Sequence, residues 1–208
     1  TVVAANDNAV ADGIGAQATN ATHPFRGGIP DHRELYHAGN TGRFIQRATA
    51  AFFCDTSRYF GAESVLERIQ LALDFLEKSQ SSDGNIDLLT TNFNSPPDTG
   101  FVVHKVAGAA NIVRMNGAVE VLRLFEPFLR RAGHGIAKGG IHTPNHRWVV
   151  SAALAQINEV FPDKRFLDRI DAWLAEEIDI DGEGQYTERS VGGYNAVCND
   201  AFLVLAKK

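Results

Sequence analysis

Val65, Leu66, Ile69, Ala72, Leu73 and Leu76 recur at steps of three and four, the spacing that gathers side chains on one face of an α-helix. That stretch predicts a helix over about 57–78, with Ser57 as its N-cap and Ser81-Ser82-Asp83-Gly84 as the turn that stops it. No segment sustains the alternation of a half-buried strand, so the chain is expected to be all-α.

Further helix starts follow. Pro96-Pro97-Asp98-Thr99 opens a helix to about 116, capped by Asp98 or Thr99, and another runs over 118–131 and ends at Gly133. Thr143-Pro144 reads as an N-cap with proline in the first helical position, starting a helix to about 159 with Val149, Ala153, Leu154 and Ile157 facing inward. Pro162-Asp163 begins the next, with Phe166, Leu167, Ile170 and Leu174 apolar. The last starts near 191–195 and is still running through Ala201-Phe202-Leu203-Val204-Leu205 when the sequence stops. Residues 1–42, poor in large apolar groups over the first thirty, are expected to form an irregular N-terminal arm.

The turn Asp83-Gly84 recurs as Gly139-Gly140 and again as Asp181-Gly182. Units of two helices plus loops bury their faces against their neighbours and curve. Residues 43–208 are therefore expected to be antiparallel helical hairpins forming part or all of an (α/α) toroid, truncated at its C-terminus. In such an architecture the polar loops 80–98, 133–143 and 178–192 would line a central cleft.

Composition narrows the partners. A formal net charge of −5 and the lack of a Lys/Arg block disfavour nucleic acid, and no apolar run is long enough to span a membrane. Cys54 and Cys198 have no zinc-ligand spacing and read as buried free thiols. Asp179-Ile180-Asp181-Gly182-Glu183-Gly184 resembles the start of a calcium loop, but Ser190 stands where a bidentate Glu is needed. No cofactor is expected, with calcium the lesser alternative.

Two polar groups carry candidate chemistry. Asn145, His146 and Arg147 fall in the first turn of a helix, where free amides and the dipole favour an anion such as a uronate carboxylate. His142 lies beside them, and Trp148 reads as core. Tyr186, Glu188, Arg189, Tyr194 and Asn195 form the second group. A tyrosine there could move the proton in a β-elimination if Arg147, Arg189 or His146 supports its phenolate. Asn94 and Asp98 occupy a third polar loop, where Asn94 could bind sugar hydroxyls. His104, early in the helix that follows, reads as packed or solvated.

Asn145-His146 near a helix start, followed by Glu188-Arg189-Ser190 and then Tyr194, resembles the toroid domain of heparinase II/III-like polysaccharide lyases and related alginate lyases. In that family an Asn, or a Glu acting with His, neutralises the uronate carboxylate, and a Glu-x-Ser-x-x-Tyr-His pattern places the catalytic tyrosine. The resemblance spans about 93–205. It implies catalytic roles for Asn145, His146 and Tyr194, with Arg147, His142, Arg189, Tyr186, Glu188, Asn94 and Asn195 binding substrate. It also implies an acidic polysaccharide as partner, β-elimination as reaction, and a secreted or periplasmic location. Asn195 stands where the family often has His, and the family's further histidine comes from later sequence. The competing readings are a toroid glycoside hydrolase drawing on Asp83, Asp98, Asp181 and Glu188, and a helical module that binds a glycan or protein without cleaving it.

Overall fold

The computed structural model describes residues 1–141, 143–190 and 192–207. The described residues are mostly helical, as expected. The helices are α1 (Val2–Ala16), α2 (Ala38–Phe53), α3 (Glu63–Lys78), α4 (Pro96–Met115), α5 (Val119–Ala137), α6 (Pro144–Val160), α7 (Lys164–Leu174) and α8 (Tyr194–Leu205). A small antiparallel pair, β1 (Ile86–Leu88) and β2 (Asn92–Ser95), precedes α4. These strands are too short to show a period in the sequence.

The N-terminal arm is not irregular throughout, because residues 2–16 are helical. Ala is the best helix former, and Thr1 caps the start by accepting the Ala4 N–H at 3.2 Å. Small residues let α1 lie close on α2: a methyl group on Gly13 would come within 2.4 Å of the Phe44 ring. The buried Asp7 carboxylate accepts the Ser57 hydroxyl at 2.6 Å and the Arg58 N–H at 3.0 Å. Ser57 is thus spent on α1, and α3 begins later than its periodicity predicted, behind Ala62 with no side-chain cap. Residues 17–37 are irregular but tied down. Gln17 donates to the carbonyls of Gly27 and Arg68, and Gly27 (φ 94°) packs so tightly that a Cβ would meet the Leu71 carbonyl oxygen at 1.9 Å.

Gly133 does not stop α5. The helix passes Gly133 and Gly135 and ends at Ala137. A Cβ at Gly133 would sit 2.7 Å from the Phe166 ring, and one at Gly135 2.8 Å from the Asp83 carbonyl. Their role is close approach, not termination. On α4 the cap is Ser95, not Asp98 or Thr99; its hydroxyl accepts the Asp98 N–H.

The even-numbered helices pack in chain order, α2 on α4, α4 on α6 and α6 on α8. Gly42, near the start of α2, lies against Val102 of α4, and Gly100 of α4 lies against Val150 of α6. The early turns of α2 and α4 therefore meet, as do those of α4 and α6. The odd-numbered helices form a second row, α3 against α5 and α5 against α7. Gln80, just past α3, donates to the Phe128 carbonyl of α5, and Arg169 of α7 donates to the carbonyls of Ala137 and Lys138. Between the rows lies a continuous apolar core that includes Phe125, Phe128, Leu129, Leu154 and Phe166. Each such side chain contributes about 1.5–3 kcal/mol by leaving water. Trp148, Ala152, Cys198 and Ala201 form a smaller cluster between α6 and α8. Cys198 is buried as expected, whereas Cys54 is only partly so; both thiols are free.

Three of the segments that lead into even-numbered helices share one turn. Asp31 N–H donates to the Leu35 carbonyl and Glu34 N–H to the Asp31 carbonyl; Ser81, Gly84 and Asn85 repeat these bonds, as do Asp181, Gly184 and Gln185. The residue in the fourth position is left-handed each time: Glu34 (φ 63°), Gly84 (φ 89°) and Gly184 (φ 79°). The recurrence in the sequence was therefore misaligned. Asp83-Gly84 corresponds to Glu183-Gly184, not to Asp181-Gly182, and the first copy was hidden because Glu34 stands where glycine was sought. At Gly139 and Gly140 the backbone is also left-handed, but the bonding differs.

Candidate functional site

Asn145, His146 and Arg147 lie in the first turn of α6, as the Thr143-Pro144 signal predicted, although the Thr143 side chain makes no capping bond. Glu188 takes that place. One of its carboxylate oxygens accepts the Asn145 N–H at 3.0 Å and the other accepts the Asn145 side-chain amide at 3.1 Å. The anion favoured at this helix start is thus supplied by the protein itself. Asn145 is 1% exposed, so the amide expected to hold a substrate carboxylate is enclosed and holds Glu188 instead.

Arg147 also has an internal role. Its side chain is 5% exposed and pairs with Glu176 and Asp179, while its guanidinium lies 5.0 Å from the centre of the Trp148 ring. A guanidinium so enclosed is not available to a polymer, which corrects the expected substrate contact. Trp148 is core, as read; its ring lies 4.9 Å from that of Phe202.

His146 is half-buried, edge-on to the Phe101 ring at 5.8 Å. Burial pushes its pKa below the usual imidazole value, and the opposing pull of Asp98 and Glu188 does not cancel it. The neutral, proton-accepting form is therefore the stable one at neutral pH. His104, further along α4, is likewise held down by burial.

The second polar group is divided. Tyr186 donates its hydroxyl to Asn199 at 2.8 Å and lies parallel to Phe202, and burial raises its pKa, which opposes a phenolate role. Tyr194 opens α8 with its side chain out, the residue being 51% exposed. Arg189 (φ 46°) is exposed and reaches Asp181 at 3.2 Å. Both guanidiniums expected to support a tyrosinate are thus already paired with carboxylates. Asn195 is half-buried, and its side-chain oxygen has no partner among the described residues. Three residues separate Ser190 from Tyr194, one more than in the family pattern.

Asn94 stands apart. Its backbone is left-handed (φ 47°), its N–H donates to Asp87, and its side chain accepts from Ser81 and donates to Asp83. It braces the β1–β2 loop. His142 lies outside the described residues. Asp179 and Asp181, which begin the calcium-like pattern, are engaged by Arg147 and by turn amides together with Arg189. Among the described residues no group of His, Cys, Asp and Glu is arranged to hold a metal ion, and no helix is long and apolar enough to cross a membrane.

Sequence reasoning missed Glu188 as the cap of α6, because the two lie 43 residues apart and no local signal links them. It also missed Phe101, whose ring meets His146 only because α4 and α6 pack side by side. In comparisons with known proteins, the chain matches no protein-family model, no curated protein and no solved structure.

Proposed function

We propose that the two rows of helices are an arc of an (α/α) toroid built from antiparallel hairpins, and that the chain cleaves a uronate-containing polysaccharide by β-elimination. The observation that carries this reading is the grip of Glu188 on Asn145. It brings Glu188 and its neighbour Arg189 to the first turn of α6, which carries His146, while Tyr194 opens α8, the helix packed beside α6. In this scheme His146, kept neutral by burial, takes the proton from the carbon beside the carboxylate. Tyr194 protonates the departing glycosidic oxygen. The exposed Arg189 exchanges its solvent-facing pairing with Asp181 for a charge-assisted bond to the substrate carboxylate, Asp181 staying held by its turn amides. Asn145 is a positioning residue that fixes the helix turn carrying His146.

The state of the carboxylates favours elimination over hydrolysis. Two-carboxylate hydrolysis needs one acid and one base or nucleophile facing the scissile bond. Glu188 is committed to Asn145, Asp98 to the Ser95 hydroxyl at 2.5 Å, and Asp83 to Lys138 and Asn94. Asp181 is committed to its turn and Arg189. All four carboxylates considered for hydrolysis thus brace the scaffold.

Incubation with alginate, heparan and chondroitin separates the chemistries. Elimination leaves an unsaturated sugar that absorbs in the ultraviolet, and new absorbance should appear with the reducing ends. Reducing ends without absorbance would replace elimination with hydrolysis. Binding without either would leave a glycan-binding module.

A further inference from the structure

A cavity of about 410 Å³ opens beside the first of the repeated turns, away from His146. Its volume falls in the range of roughly 300–1,000 Å³ typical of small-ligand sites. The Phe25 and Tyr36 rings stack at 5.3 Å and 14°, and the His23 ring leans on Tyr36 at 5.0 Å. Phe25 is 47% exposed, so this aromatic wall is not closed over by the core. Buried Phe75 and Ile86 also line the cavity.

The polar lining is unspent. Arg26 and Lys78 have no side-chain hydrogen bond or ion pair among the described residues. His23 accepts the Phe25 N–H through Nδ1, which leaves its proton on Nε2, free to donate. Asp87 accepts the Asn94 N–H at 2.6 Å and presents a carboxylate that can receive hydroxyl protons. A flat apolar wall, two unpaired cations and a hydroxyl acceptor match a ring that is apolar on one face and carries both hydroxyls and a negative charge.

We propose that this cavity is a remote subsite for one acidic pyranose residue of a polymeric ligand. The sugar face lies on the exposed Phe25 ring, which Tyr36 backs from its other side, its carboxylate meets Arg26 and Lys78, and its hydroxyls meet Asp87 and His23. The assignment of the ligand as a uronate rests on the proposed function. Ile86, which lines the cavity, donates its N–H to Thr99 in the first turn of α4, and His146 meets Phe101 on the next turn of that helix, so the cavity and His146 lie towards the same end of α4. A chain lying along that end would reach both, and a short one would not.

The test compares a disaccharide and a hexasaccharide of mannuronate on the wild-type protein and on Phe25→Ala and Lys78→Gln, neither of which touches the His146 region. For the hexasaccharide KM should rise roughly tenfold in each variant with kcat unchanged, as expected when binding remote from the chemistry is lost. Kinetics on the disaccharide should not change. Wild-type KM for the hexasaccharide in both variants would overturn the subsite and leave the lyase reading intact. If neither oligomer is cleaved, calorimetric titration of the hexasaccharide decides. Binding that weakens in both variants would support the subsite while dismissing the lyase, and no binding to the wild-type protein would overturn the subsite.

Discussion

The turns at 31–36 and 181–186 have the same backbone and opposite surroundings. In each an aspartate side chain accepts two amides, those of Arg33 and Leu35 for Asp31 and those of Glu183 and Gln185 for Asp181. Around the first turn Asn40 donates to the Pro30 carbonyl, Thr41 receives the Ile29 N–H, and the only ion-pair contact of Asp31 among the described residues is a long one, 3.9 Å, to His37. Next to it lies the open aromatic cavity. The last turn follows Asp179, which pairs with buried Arg147, and its Tyr186 is fixed to Asn199. One scaffold element thus serves at one place as the edge of a cavity and at another as the lid of a charged network. Shared backbone geometry does not carry shared chemistry with it.

The sharpest break in the turn series is expected at the middle copy. Gly84→Ala would drive a Cβ to 2.1 Å from the Arg131 carbonyl oxygen, and should cost about 4 kcal/mol in urea unfolding. The same change at Gly184 meets nothing within 4 Å and should cost only the left-handed backbone penalty, about 1 kcal/mol. Glu34→Gly should shift stability by less than about 0.5 kcal/mol, since relieved strain is offset by a freer unfolded chain. Equal effects at all three positions would show that the turns are not packed as described.

Arg147→Ala separates the two anchors. Removing a buried guanidinium from two carboxylates should cost about 3 kcal/mol, reduced from the largest such effects because Glu176 and Asp179 are partly exposed. Amide exchange should quicken around 178–188 and stay unchanged around 30–37. Unaltered stability with lost substrate binding would return Arg147 to the substrate set.

Much of this contrast was hidden in the sequence, for identifiable reasons. Periodicity and the Thr143-Pro144 and Pro162-Asp163 signals located α6 and α7: proline in the first helical position marks where α6 begins although its cap comes from distant Glu188, and Asp163 caps α7 locally by accepting the Arg165 N–H. The α1 helix escaped notice because its contact with α2 uses small residues and a buried Asp7, which read as polarity. At the candidate site, the placement of Asn145 and Arg147 at a helix start was legible. Their partners Glu188, Glu176 and Asp179 were not, since only the packing of distant segments brings them together.

Acid should weaken both aspartate turns. Burial works against the Asp31 carboxylate, but the Leu35 and Arg33 amides outweigh it; Asp181 is held down by the Gln185 and Glu183 amides. Folded pKa values below the ordinary 3.8 mean that this stabilisation is complete above 3.8 and lost as pH falls through the lower folded values. The fall in urea midpoint below that pH should therefore be smaller in Asp31→Asn and Asp181→Asn than in the wild-type protein, while any loss that sets in from 6.5 downward, where buried His146 and His104 resist protonation, should be the same in all three. The least perturbing probe is the activity profile. With His146 depressed by burial, the acid limb of kcat/KM should have its midpoint below 6.5, and His146→Ala should remove that limb together with turnover.

The central claim is that an acidic polysaccharide binds across the starts of α6 and α8 and the cavity beside Phe25. Amide hydrogen exchange of the intact protein, with and without a uronate hexasaccharide, reads it directly. Protection should appear around the entries to α6 and α8 and around residues 23–37, while the opposite end, at Asn116 and Phe161, stays unchanged. Protection confined to that opposite end, or none with any uronate, would contradict the account.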